Sequence, residues 1–86
     1  MAEKKVTVQN KTGLHARPAA LFVQKANQFK CDINIIKDEK EVSAKSIMGV
    51  MSLGVGQGTE ILIKAEGEDA EQAVGALVEL VESLTE

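Results

Sequence analysis

"KKVTVQNKTGLHARPAALFVQKA", residues 4–26, changes its apolar period part-way along, and that change decides the fold. In the first third, Val6 and Val8 alternate with polar neighbours, the pattern of a strand with one buried face. From Ala16 onward, Ala19, Phe22, Val23 and Ala26 recur at helical spacing, and the apolar pattern ends near Phe29. A strand therefore feeds a helix through the loop Thr12-Gly13-Leu14. Pro18 marks where that helix begins. Proline suits a first helical turn, because its missing N–H would be unpaired there and its φ is already helical. His15, the only histidine in the chain, thus falls at or beside the N-cap.

Beyond this stretch the same two periods alternate. "CDINIIK" (31–37) reads as a second strand and "KEVSA" (40–44) as a short third, with "KDEK" (37–40) the turn between them. "SIMGVMSLG" (46–54) has a hydroxyl start, apolar residues at helical spacing and a closing glycine, so it reads as a short helix. "VGQG" (55–58) signals a turn, and "EILIKAE" (60–66) alternates Ile61, Ile63 and Ala65 as a fourth strand. From Asp69 a stripe of Ala70, Ala73, Val74, Leu77, Val81 and Leu84 predicts the last helix, with Asp69 and Gln72 spaced as a capping box. The order is β-α-β-β-α-β-α. Strands with one apolar face each imply a sheet covered by helices on one side and wet on the other, an α+β fold.

Composition narrows the function. With 86 residues the expectation is a single domain over 1–86 with one modest core. The net charge is −3 and only Phe22 and Phe29 are aromatic, which argues against nucleic-acid binding by basic stripe or stacking rings. That lack also weighs against an RNA-recognition domain, which shares the β-α-β-β-α-β order. Cys31, the single cysteine, has no metal-ligand spacing around it and suits a small buried position. No metal or cofactor is expected. No signal-like or membrane-spanning run is present, so the expectation is a cytoplasmic protein, not inserted in a membrane. The acidic runs "KDEKE" and "EGEDAE" read as solvated turns and caps.

The helix start at His15 can do chemistry. The backbone N–H groups of Ala16 and Arg17 lie in the first turn, where no intrahelical acceptor is available. Such an end binds anions, and Arg17 adds a fork of charge-assisted donors. Gly13 and Gly67 are expected to keep the approach uncrowded. These parts suit phosphoryl transfer, with the imidazole taking the phosphoryl group while amides and Arg17 stabilise its oxygens. A small phosphohydrolase would use the same residues, but no water-activating base is apparent beside them. The short motif is equally compatible with a histidine that only caps a helix and a solvated arginine, since short motifs match by chance often.

Two separated motifs in register, "GLHARPAA" (13–20) and "AKSIMGVMSLGVGQG" (44–58), resemble HPr, the histidine-containing phosphocarrier family of the bacterial phosphoenolpyruvate-dependent sugar phosphotransferase system. The resemblance runs end to end and includes "AEGEDAEQAV" (65–74) at the last helix. It implies an open-faced β-sandwich, a four-stranded antiparallel sheet with three helices on one face. It implies a carrier, not an enzyme: His15 accepts phosphate on Nδ1 from enzyme I, assisted by Arg17, and passes it to sugar-specific IIA domains. Ser46 is expected to cap the short helix. In Firmicutes-type members the resemblance also makes it the target of HPr kinase/phosphorylase, and the phosphoserine form a corepressor of the catabolite control protein. Ala20, Ile47 and Met48, with Met51 beside them, carry over as partner contacts on a shared docking face of the first two helices. Purely regulatory paralogues in the family lack the active histidine, which is present here. The expected state is a monomer.

Overall fold

The computed structural model describes residues 1–85. Its elements are β1 (Ala2–Thr7), α1 (Ala16–Ala26), β2 (Asp32–Lys37), β3 (Lys40–Ser43), α2 (Ile47–Ser52), β4 (Glu60–Glu66) and α3 (Ala70–Ser83). The expected β-α-β-β-α-β-α order is found. All pairings are antiparallel, and the sheet order is β1-β4-β2-β3, so the first and last strands lie side by side and β1 and β3 form the edges. This is the open-faced α+β sandwich.

Period-two alternation produces its two faces. Val6 pairs with Ile61, Ile33 with Ala65, and Ile35 with both Ile63 and Val42. Apart from half-buried Val42, these residues are buried, and they form the row under the helices. Between them Asn34, Ile36, Leu62 and Lys64 are only half-buried, on the wet face. α3 closes the core over β1, β4 and β2 with Ala70, Ala73, Val74, Leu77 and Val81. Phe22 of α1 is fully buried; a side chain of that size contributes about 2–3 kcal/mol by leaving water. The shorter α2 packs on α1 and on β3.

Three local expectations are corrected. α1 ends at Ala26 and not near Phe29: Asn27 is its C-cap, and the N–H groups of Gln28 and Phe29 bond back to the carbonyls of Lys25 and Ala26 in a closing turn. Phe29 keeps the apolar periodicity because it packs against the core from that turn. β1 runs Ala2–Thr7, with Val8 beyond it, held to the loop before β4 by mutual backbone bonds with Thr59 and Gly58. Asp69 and Gln72 form no capping box. Asp69 occupies the N-cap of α3 but makes no side-chain cap bond, because its carboxylate is engaged elsewhere. Oδ2 accepts the backbone N–H of Lys30, and Oδ1 that of Cys31, each at 3.0 Å.

Candidate functional site

The loop before α1 is fixed by backbone pairing before any functional side chain is placed. Asn10 is buried and donates through Nδ2 to the Gly13 carbonyl at 2.9 Å, while the Gly13 N–H returns to the Asn10 carbonyl at 3.2 Å. Leu14 is fully buried, and its N–H bonds to the Val55 carbonyl at 3.0 Å. Gln57 extends the tie by donating Nε2 to the Gln9 carbonyl. Gly13 makes this approach possible. It sits at φ +65, and a Cβ there would lie 2.1 Å from the Val55 carbonyl oxygen. Only glycine fits both the conformation and the space.

His15 follows as the N-cap of α1, extended at φ −128, ψ 159. Its ring makes no capping hydrogen bond, and the residue is half-exposed. His15 thus holds the N-cap position through its extended backbone, with no capping bond from its ring. Ala16 then adopts φ +52, a left-handed conformation that costs an L-residue about 1–2 kcal/mol. The strain sits between two anchors, Leu14 behind it and the buried Pro18 ahead. Such outliers gather where the surrounding structure over-determines a functional backbone. Ala16 and Arg17 are both exposed at this helix start.

The second group lies on α2. Ser46 is its N-cap, at φ −110, ψ 117, and Oγ accepts the Gly49 N–H at 3.1 Å. Ser46 is itself exposed, so its hydroxyl caps the helix from the surface. Ile47, Met48 and Met51 are 43%, 79% and 40% exposed, while Val50 and Leu53 of the same segment turn inward. Three large apolar side chains facing water on a helix of six residues form an apolar patch rather than core. Ala20 is half-buried on α1, the helix against which α2 packs. The structure thus brings the His15 helix and the Ser46 helix into one layer.

Two expectations are displaced. Gly67 lies not on the approach to His15 but past the far end of β4, at φ +141, where a Cβ would come 2.7 Å from Cys31 Cβ. Its role is close packing. Cys31 is buried, as expected, and precedes β2 rather than opening it. Among the described residues no group of three or more His, Cys, Asp or Glu side chains could hold a metal ion. No helix there is long and apolar enough to cross a membrane.

Residues 2–83 match the family model "PTS HPr component phosphorylation site". The chain belongs to the HPr family. Among curated relatives, it is similar to the HPr-like protein Crh of Halalkalibacterium halodurans, 56% identical over 82 residues, 95% of this chain and 98% of that one. Among solved structures it is similar to HPr of Thermoanaerobacter tengcongensis, with TM-score 0.95 and 59% identity over 96% of this chain and 93% of that one. An HPr dimer of that organism also matches, at TM-score 0.78 and 59% identity over 96% of this chain and 95% of that one. A dimeric relative runs against the monomer expected from sequence, and that expectation is withdrawn. The family is one of phosphoryl carriers. Its membership includes both HPr and Crh proteins, and the similarities do not favour one name over the other.

Proposed function

We propose that this chain is a phosphoryl carrier of the sugar phosphotransferase relay. The neutral His15 ring attacks phosphorus through a nitrogen lone pair, Nδ1 by resemblance. The N–P bond forms as the bond from phosphorus to enzyme I breaks, and the other ring nitrogen keeps its proton. Transfer to a sugar-specific IIA domain reverses these roles. The first-turn amides of Ala16 and Arg17, together with the Arg17 guanidinium, stabilise the phosphoryl oxygens. Ala20, Ile47, Met48 and Met51 form the surface on which partners dock.

One observation carries this reading: His15, a partly exposed residue at the N-cap of α1, makes no side-chain cap bond. That is a nucleophile in place at an anion-binding helix end. On the same reading Ser46 is the regulatory position, phosphorylated by HPr kinase/phosphorylase, and the phosphoserine form meets the catabolite control protein. Phosphate at a helix N-terminus is favourable, so this modification preserves α2.

The similarity to Crh proteins raises a second reading, a regulatory member whose His15 is present but takes no phosphate. The two differ at His15. Incubation with enzyme I, phosphoenolpyruvate and Mg²⁺, followed by intact-mass measurement, decides between them. The carrier reading expects one phosphoryl group, labile in acid, stable in alkali and absent from His15→Ala. Wild-type protein that stays unmodified, or His15→Ala that is modified equally, would overturn it.

A further inference from the structure

The last rung of the β2–β3 ladder pairs Lys37 directly with Lys40. Two like charges opposite each other on one face of an antiparallel pair are unfavourable. Both ammonium groups nevertheless reach a common target. Lys37 Nζ donates to the carbonyls of Leu53 at 3.0 Å and Gly54 at 3.2 Å, and Lys40 Nζ to the carbonyl of Ser52 at 3.1 Å. These carbonyls close the C-terminus of α2, which has no basic residue in its own last turn.

The hairpin is built to deliver them. Its two-residue tip turns through Asp38 at φ +57, which keeps Lys37 and Lys40 opposed on the row that continues Ile35 and Val42. That is the face against which α2 packs. α2 needs such help. It has six residues, one of them Gly49, and helices this short do not persist on local propensity alone. Gly49 lets it lie close to β3: a Cβ there would come 3.3 Å from Val42 Cβ and 3.4 Å from the Ser43 carbonyl oxygen. Ser46 caps one end of α2, and the lysine pair closes the other.

We propose that Lys37 and Lys40 are positioning residues that hold α2 by its C-terminal carbonyls and so fix the apolar face, Ile47, Met48 and Met51, that it presents to partners. The docking half of this proposal rests on the carrier reading above; the clamp itself does not. Cations at a helix C-terminus complement its dipole, and each such contact favours the closed arrangement by a factor of about 2–5. When the competent pose is only partly populated, apparent affinity falls by the same fraction.

The test compares wild type with the double variants Lys37→Met/Lys40→Met and Lys37→Arg/Lys40→Arg. Amide hydrogen exchange is followed at Val50 and Leu53, whose N–H groups bond to the carbonyls of Ser46 and Val50. In the methionine variant, protection there should fall about 4- to 25-fold, while α3 amides keep theirs. The arginine variant should stay near wild type. In enzyme I-dependent phosphorylation the methionine variant should raise KM with kcat within about two-fold. Unchanged protection at Val50 and Leu53, or an equal loss throughout the chain, overturns the clamp. Loss confined to α2 with unchanged KM overturns its part in docking. A wild type that enzyme I cannot phosphorylate overturns the carrier reading alone, and the exchange result still decides the clamp.

Discussion

Asp69 and Cys31, far apart in sequence, are joined by a hydrogen bond of 3.0 Å from the Cys31 backbone N–H to Asp69 Oδ1. The second carboxylate oxygen takes the Lys30 N–H at the same distance. One side chain thereby clips the α1–β2 loop to the start of α3. The nearby Gly67, packed against Cys31 Cβ, allows the close approach.

The clip makes stability sensitive to acid. The Lys30 amide first, and then the Cys31 thiol, hold the Asp69 carboxyl below its ordinary value of 3.8. The unfolded chain therefore binds more protons than the folded one in this range, so stability rises with pH there. The contribution is fully present above the unfolded value and is lost as pH falls through the lower folded value. Asp69→Asn should lower the Tm at neutral pH, and the gap to wild type should close as pH drops below 3.8. A gap independent of pH would show that the carboxylate charge plays no part.

Cys31 should be chemically quiet while the protein is folded. Burial above all, and then the hydrogen bond to Asp69, push its thiol above the ordinary value of 9.0. The thiolate is the reactive form, and it is both scarce and enclosed here. Alkylation by iodoacetamide at pH 8 should track global unfolding in urea rather than proceed in native buffer. Rapid native labelling would mean that the α1–β2 loop opens locally.

Glycine substitutions should divide sharply by position. Gly13→Ala places a Cβ against the Val55 carbonyl at φ +65, and should cost more than about 2 kcal/mol in urea unfolding. Gly75 lies within α3, and a Cβ there would meet nothing within 4 Å beyond the helix's own backbone. Gly75→Ala should instead stabilise by about 0.5–1 kcal/mol. Equal effects at the two positions would contradict the backbone geometry on which the His15 loop depends.

The difference between these glycines shows what was legible in the sequence. Periodicity gave every element, and Pro18 placed His15 at a helix start, because these signals are local. Ser46 capped α2 as its type and position suggested. What failed was non-local. Asp69 has the spacing of a capping box, yet its best donors are Lys30 and Cys31, which only folding brings near. Gly67 likewise carries no local sign that it packs on Cys31 beyond the far end of β4. "KDEK" looked like a solvated turn because nothing nearby in the chain reveals that Lys37 and Lys40 reach α2. Ala16 at φ +52 has no residue-type signal at all; its conformation is imposed by the fixed segments on either side.

Ser46 offers the sharpest test of whether the two helices act as one surface. Its hydroxyl accepts the Gly49 N–H, so Ser46→Ala should cost about 1 kcal/mol as a lost cap. Ser46→Asp keeps a cap acceptor and places its charge where the helix dipole favours it, so stability should hold near wild type. Function should diverge in the opposite sense. Phosphate at this position brings about −1.5 to −2 charges to the face that includes Met48, and aspartate brings part of that. A partner docking through charge complementarity should then meet it less readily. In enzyme I-dependent phosphorylation of His15, measured against protein concentration, Ser46→Asp should raise KM, while Ser46→Ala should match wild type. The His15 chemistry is untouched in both, so kcat should not move. Identical saturation curves for wild type and Ser46→Asp would separate the two helices functionally and leave Ser46 as a cap alone.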